Sequence, residues 1–358
     1  MFPALAIAGA LKELEPAVEL LFVGAKGRIE MERVPDAGYR IIGLDIQGLQ
    51  RRITWNNLMF PVKLVKSILK SNRIIREFKP DIAVGVGGYA SGPLLLAASR
   101  KGIPTVIQEQ NSFPGMTNRN LGKKAVRIFV AYQGMDQFFD PQKIRLTGNP
   151  VRTELLERAA EFHNLSGAGP ARKHFGLEEG GKTIFLTGGS LGAGTLNQSV
   201  LAHLDALKAS GVQLIWQTGR YYYERIRKEV DESRYPGIRI MEFVNRVELA
   251  YAAADLIIAR AGAGTISELC VVGKPVILVP SPNVAEDHQS KNAAALVKQQ
   301  AARVIRDGDA VAELIPAAMR LIEDQESQAL LAANIRKLAK PDAAREIAEE
   351  ILTIAMAS

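Results

Sequence analysis

Glycine-rich turns carry most of the chemistry this sequence offers, and each of the main ones follows a short apolar run. Val84 to Pro93 reads VGVGGYASGP, Thr187 to Gly192 reads TGGSLG, and Arg260 to Glu268 reads RAGAGTISE. Glycines let a backbone approach a ligand closely, and a helix starting after such a turn presents unpaired amides that favour phosphate. In the second turn those amides can cradle a diphosphate, with the Ser190 hydroxyl as a further donor. No Lys follows it as a Walker A loop requires, so ATP hydrolysis is disfavoured and a purely structural turn is the alternative. In the third turn Thr265 and Glu268 have the spacing of a capping box. A carboxylate in a helix's first turn is also placed to accept both hydroxyls of a ribose. Diphosphate near Ser190 and ribose near Glu268 describe a nucleoside diphosphate or nucleotide sugar. The first turn fits a loose dinucleotide pattern, Gly85-x-Gly87-x-x-Ala90, with Glu109 about 20 residues further on as a ribose ligand. That keeps a nicotinamide-dependent oxidoreductase as the rival reading, although the pattern lies far from the first strand and no hydride-transfer constellation accompanies it.

These turns need strands and helices to hold them. PDIAVGVGG, IPTVIQEQN, KTIFLTGGS, VQLIWQTG, ADLIIARAG and KPVILVPSP alternate with Ala/Leu-rich helical stretches. The alternation predicts βαβ units, parallel sheets and an α/β fold. It recurs on both sides of TGNPVRTE (147–154), whose Gly148-Asn149-Pro150 reads as a linker. The 358 residues therefore divide into two Rossmann-like domains, 1–150 and 151–335, with a last helix at 336–358. Ligands in such folds bind at the carboxyl ends of the strands, here facing a central cleft. A 47% apolar content and a single cysteine, Cys270, exclude disorder and a disulfide scaffold. Lacking a basic region ahead of an apolar N-terminal stretch, the chain reads as cytosolic rather than secreted. The uncharged stretch Ile82 to Ser99 contains Gly85, Gly87, Gly88, Gly92 and Pro93, which suit a strand, a turn and a helix start rather than a membrane span. Asp307-Gly308-Asp309 resembles a metal-binding DxD motif but follows ARVIR as a surface turn does, so no metal and no cofactor is expected.

The net charge of +7 is concentrated in the first half, where residues 1–150 hold 21 basic and 12 acidic side chains. Residues 51–80 alone hold Arg51, Arg52, Lys63, Lys66, Lys70, Arg73, Arg76 and Lys79 against Glu77. Trp55, Leu58, Met59 and Phe60 lie among these cations, beside Lys63 and Lys66. Apolar anchors among cations suit a surface that dips into an anionic bilayer. The alternative is an amphipathic helix with its apolar side on the core and its lysines in water. Nucleic acid is disfavoured as a partner, because clustered aliphatics gain little from phosphates or base edges.

In order along the chain, GxGGYxSGP (85–93), EQN (109–111) with TN (117–118), GNPVR (148–152), GGSxGA (188–193), RAGAGTISE (260–268) and DHQxxNA (287–293) resemble the MurG family of glycosyltransferases. The resemblance implies a GT-B fold and a peripheral enzyme on the cytoplasmic face of the bacterial inner membrane. It implies inverting transfer of N-acetylglucosamine from UDP-GlcNAc to the 4-hydroxyl of undecaprenyl-pyrophosphoryl-MurNAc-pentapeptide (lipid I), without a metal. It further implies that the last helix returns to the first domain, and that other cell-wall synthesis proteins are possible partners. Carried over by position, UDP-GlcNAc contacts fall on Asn111, Arg152, Ser190, Val244, Ala263, Gly264, Thr265, Ile266, Ser267, Glu268 and Gln289. Acceptor-pyrophosphate contacts fall on Gly87, Gly88, Tyr89, Ser91 and Asn118. Val244 would meet uracil through its backbone and Arg152 would neutralise diphosphate charge, an interdomain ion pair being the alternative for Arg152. His288 reads as a solvated or helix-capping residue. Family members carry a strand and a GGTGGH loop before a segment like FPALAIA, and its His is their favoured general base. This sequence starts at Met1-Phe2-Pro3, so the catalytic residue is left unassigned and weak or no transfer is expected of the chain as written. A noncatalytic nucleotide-sugar-binding protein is the corresponding alternative. Leu191, where many members have Gln, and Gly194, where many have Arg, are smaller departures.

Overall fold

Apolar runs bounded by glycine turns become short parallel strands, and the Ala/Leu-rich stretches between them become the crossover helices that parallel pairing requires. The computed structural model describes residues 1–46, 60–162, 165–284 and 287–357. The chain divides into one unit of Met1–Val151 with Pro341–Ser358 and another of Arg152–Lys340.

In the first unit the strands are β1 (Leu21–Ala25), β2 (Arg40–Leu44), β3 (Ala83–Gly85), β4 (Thr105–Glu109), β5 (Arg127–Val130) and β6 (Ile144–Leu146). Among the described residues they form two parallel sheets, β1-β2 and β3-β4-β5-β6. The helices are α1 (Phe2–Leu14), α2 (Glu30–Asp36), α3 (Phe60–Phe78), α4 (Ser91–Arg100) and α5 (Met116–Gly122). Ile7, Ala10 and Leu11 of α1 share one core cluster with Val106 and Phe129 of the sheet and with Ile347, Ala348 and Ile351 of the terminal helix Ala343–Met356. Glu350 of that helix pairs with Arg127 and, at 3.4 Å, with Arg145 on the neighbouring strands β5 and β6. An apolar stripe plus a carboxylate facing two arginines therefore fixes the terminal helix to this unit. The stretch read as a linker is anchored: Asn149 is buried and the division falls after Val151.

Helix α3 buries Ser67, Ser71, Ile74 and Ile75, and Lys70 Nζ donates to the Gly43 carbonyl at 2.8 Å. Its opposite face leaves Val62, Val65 and Leu69 44%, 57% and 63% exposed, beside exposed Lys66. Trp55, Leu58 and Met59 lie outside the described residues. Phe60 is half-buried, and Lys63 reaches Asp45 at 3.8 Å instead of joining the exposed face. No helix among the described residues is long and apolar enough to cross a membrane.

The second unit contains β7 (Thr183–Thr187), β8 (Gln213–Gln217), β9 (Ile238–Met241), β10 (Leu256–Ala259), β11 (Val276–Leu278) and β12 (Arg303–Val304), all parallel in the order β12-β11-β10-β7-β8-β9. The order reverses between β7 and β10, the position where open α/β sheets form a ligand crevice. Its helices include α6 (Leu165–His174), α7 (Gly194–Leu201), α8 (Val247–Ala253), α9 (Ala263–Val272), α10 (His288–Lys298) and α11 (Ala310–Glu323). Trp216, Leu186, Leu214 and Ile258 fill the core between sheet and helices.

Lys274, just past α9, donates to the carbonyls of Ala252 and Ala254 at 2.7 and 2.6 Å and so ties α9 to the end of α8. Burial lowers its pKa to about 8 from 10.5, against the raising effect of Asp255. The unfolded chain therefore binds the extra proton above pH 8, so the penalty is present below that pH and relieved as pH rises toward 10.5. Urea unfolding at about pH 7.5 and about pH 9.5 should show a gain of about 2 kcal/mol in the wild type relative to Lys274→Met. Identical pH profiles for the two proteins would contradict it.

Candidate functional site

At the carboxyl end of the second sheet the glycine-rich turns after β7 and β10 flank the strand-order reversal. The turn after β7 is held by a polar relay across three strand ends. Thr187 Oγ1 accepts from the Gly189 amide at 3.1 Å and from Gln217 Nε2 at 3.0 Å. Gln217 Oε1 in turn accepts from the Val244 amide at 2.9 Å. Asn197 on α7 donates to the Thr218 carbonyl at 2.9 Å and accepts from Trp216 Nε1 at 2.8 Å. The sequence signals Gln217 and Thr218 only as the QTG that follows VQLIW, and nothing local marks Asn197.

Two turns meet here backbone to backbone. A Cβ on Gly219, whose φ is +82°, would lie 2.1 Å from the Gly192 nitrogen, and Arg220 N donates to the Ser190 carbonyl at 3.1 Å. Ser190 and Leu191 are left exposed at the tip. Gly194 is backed by Tyr222, whose hydroxyl would be 3.1 Å from an added Cβ, so a long side chain at this position requires Tyr222 to move.

After β10 the structure corrects the capping-box reading. The N-cap of helix α9 is Gly262, three residues before the predicted cap Thr265, in extended conformation and with no side-chain cap bond. Thr265 therefore lies inside the first turn and Glu268 in the second. Glu268 serves Arg152 instead, accepting from its Nε at 2.8 Å, and from the Tyr251 hydroxyl at 3.4 Å. Both residues of the Arg152–Glu268 pair belong to the second unit, so this ion pair is not interdomain. Burial alone would lower the Arg152 pKa, but the hydrogen bond and charge of Glu268 outweigh it and hold the guanidinium above its ordinary value. Burial, then Glu268, pushes the Tyr251 hydroxyl well above the tyrosine range, so it stays protonated and donates. Ala263 and Ile266 are core residues, which leaves only their backbone for a ligand, whereas Gly264 is exposed and Thr265, Ser267 and Glu268 are half-buried. Val244 is buried too, and its amide is already taken by Gln217. Gln289, in the first turn of α10, accepts from the Ser281 amide at 2.8 Å, and His288 beside it is half-buried.

The remaining assigned residues gather in the first unit. Gly87 and Gly88 take φ of +86° and +80° with open space where a side chain would stand, and Ser91 Oγ donates to the Gly87 carbonyl at 2.5 Å. Tyr89 is half exposed, and the Arg28 guanidinium lies 5.8 Å from its ring centroid, a cation absent from the sequence reading. Glu109 is buried and accepts from Asn118 Nδ2 at 2.7 Å and from the Asn111 amide at 3.0 Å. At 3% exposure this carboxylate is sealed from solvent behind two asparagines, and that burial removes it as a dinucleotide ribose ligand. Asn111, assigned to the donor, stands in this network with Asn118. Gln108 donates to Asn149 at 2.7 Å, and Asn149 to the Gln110 carbonyl at 3.0 Å, joining the EQN and GNP motifs.

Comparison with known proteins gives the class first. Residues 1–130 match the glycosyltransferase family 28 N-terminal domain and residues 183–350 its C-terminal domain. A Bacteroides fragilis protein named UDP-N-acetylglucosamine--N-acetylmuramyl-(pentapeptide) pyrophosphoryl-undecaprenol N-acetylglucosamine transferase is 51% identical, covering 100% of this chain and 93% of that protein. One of the same name from Phocaeicola vulgatus is 52% identical over 99% of this chain and 93% of its own. A crystal structure of MurG from Acinetobacter baumannii aligns with a TM-score of 0.74 at 27% identity, over 98% of this chain and 95% of that one. The chain belongs to the MurG family of family 28 glycosyltransferases.

The contact between the Gly192 and Gly219 turns leaves no room for a methyl group. Gly219→Ala should destabilise the protein by on the order of 2 kcal/mol and lower UDP affinity, read by urea unfolding and calorimetry. Unchanged stability and affinity would show that the two turns do not constrain each other.

Proposed function

We propose that this protein transfers N-acetylglucosamine from UDP-GlcNAc to undecaprenyl-pyrophosphoryl-MurNAc-pentapeptide, converting lipid I to lipid II in peptidoglycan synthesis. The observation that carries this reading is the pair of glycine turns at the β7/β10 reversal with Glu268 beside them, in a chain half identical to transferases of that name. The donor lies on the second unit. Exposed Ser190 and the start of α7 receive the diphosphate, where amides and the helix dipole supply positive potential to the departing UDP. Glu268 takes the ribose hydroxyls, oriented by Arg152 and Tyr251, since a carboxylate has lone pairs beyond those its two partners use. The backbone around Val244 meets the base and Gln289 faces the sugar. In the transfer, the bond from C1 of the sugar to the diphosphate oxygen breaks as the acceptor 4-hydroxyl attacks from the opposite face and gives up its proton. UDP is the leaving group.

The acceptor lies on the first unit. The left-handed Gly87-Gly88 turn with Tyr89 and Ser91 takes the lipid diphosphate, and Glu109 holds Asn118 toward it. The exposed Val62, Val65 and Leu69 stripe of α3, with Lys66, rests on the anionic cytoplasmic face of the inner membrane, where a lipid-linked acceptor must be met. Enzymes of cell-wall synthesis acting before and after this step are natural partners.

The test measures transfer of labelled GlcNAc to a long-chain lipid I in anionic vesicles and to a short-chain soluble analogue. Against the weak or absent transfer expected from its first residues, wild type should form the disaccharide product on both, because the whole chain is 51% identical to a transferase of that name. Val65→Asp with Leu69→Asp should slow the vesicle reaction by about tenfold relative to the soluble one, as the loss of two inserted aliphatics predicts. No transfer to either acceptor would overturn the proposed activity, and equal slowing on both would overturn the membrane face.

A further inference from the structure

Asp307 opens the Asp307-Gly308-Asp309 motif that the sequence reading set aside as a surface turn. The motif does form a short 3-10 turn, and Asp309 pairs outward with Arg306 at 2.7 Å. Asp307 points the other way, and its side chain is only 20% exposed. One carboxylate oxygen accepts from Arg260 Nη1 at 2.5 Å and the other from the Thr195 hydroxyl at 3.0 Å. Each partner belongs to a different part of the donor site. Thr195 is the second residue of α7, directly after the turn that carries Ser190. Arg260 opens the turn that leads into α9 and Glu268. The same Arg260 nitrogen also donates to the carbonyls of Val279 and Pro280 at 3.1 and 3.3 Å. The next residue is Ser281, whose amide is the partner of Gln289.

We infer that Asp307 is a positioning residue for donor binding: one carboxylate fixes the diphosphate turn, the α9 turn and the segment that orients Gln289 relative to one another. This rests on the donor-site reading given above. The physical reason is that a largely buried carboxylate and guanidinium, bonded at both oxygens, form a rigid charge-assisted joint where single neutral bonds would leave three mobile loops. The arrangement also explains why Arg260, a cation beside the proposed diphosphate site, acts through the loops: its nitrogen is engaged by Asp307 and two carbonyls. Asp307 makes no contact with the substrate in this account. Its loss should reach the donor through Thr195 and Arg260, and reach the diphosphate end more than the nucleoside end, because Val244 and Glu268 are held separately by Gln217 and Arg152.

The full-length protein is assayed as wild type, Asp307→Asn, Thr195→Val and Thr195→Ser, with UDP titrated by calorimetry, uridine read by competition, and KM and kcat measured for UDP-GlcNAc. Asp307→Asn and Thr195→Val should each raise the Kd for UDP and the KM for UDP-GlcNAc by about tenfold, the scale of a lost charge-assisted hydrogen bond, with uridine affinity and kcat changed by no more than about twofold. Thr195→Ser, which keeps the hydroxyl, should return both values toward wild type. If Asp307→Asn does not fold, the valine and serine variants at Thr195 carry the same comparison. Equal losses for UDP and uridine, no loss for either, or serine behaving like valine would each overturn the positioning role while leaving the donor site intact. A wild type that binds neither UDP nor uridine would overturn the donor-site reading and this inference with it.

Discussion

Between β7 and β10 the strand order of the second sheet reverses, so the chain leaving one strand and the chain leaving its neighbour cross to opposite faces. Two parallel strands then end side by side with no connection covering the gap, and a crevice opens at their carboxyl ends. Everything proposed for the donor follows from what each strand does on leaving the sheet. After β7 the chain must turn within a few residues into α7, and after β10 it must do the same into α9. The first of these turns needs glycine because its backbone meets the turn after β8 more closely than a side chain permits, at Gly192 and Gly219. Each turn leads into a helix start, whose unpaired amides favour a phosphate.

A crevice of this kind is floppy unless its loops are tied, and the ties are polar. Thr187, Gln217, Asn197 and Thr218 link three strand ends, Arg152 and Tyr251 hold Glu268, and Asp307 joins Thr195 to Arg260. Buried polar groups are costly when unpaired and rigid when satisfied. Their concentration at one end of the sheet, against an aliphatic core of Leu186, Leu214 and Ile258 below, is the structural signature of a preorganised site. The first unit repeats the device around Glu109, which spends its carboxylate on two asparagines.

The parts of this arrangement visible in the sequence are the local ones. KTIFL, VQLIW and ADLIIA read as strands because fully buried parallel strands are continuous apolar runs between glycine turns. Strands such as Arg127–Val130 and Ile144–Leu146 escaped the reading, since each carries an arginine, and these arginines prove to face Glu350 on the terminal helix. The Thr265–Glu268 spacing suggested a cap, but Gly262 already adopts the extended N-cap conformation, so the helix starts earlier and Glu268 is freed for Arg152. That pair spans 116 residues of sequence, and the Thr195–Asp307 contact spans 112, distances across which no local pattern carries information. Glu109 likewise looked like a ribose ligand by spacing and became a buried anchor once its asparagines were placed.

Placement of UDP-GlcNAc on the turns at the β7/β10 reversal is the central claim, and hydrogen exchange of the full chain with and without UDP-GlcNAc tests it most directly. Protection should appear in residues 188–195, 217–220, 243–245 and 261–268, while α3 and the terminal helix exchange as before. Protection centred on residues 85–93 and 109–118, with the second-unit turns unchanged, would contradict it.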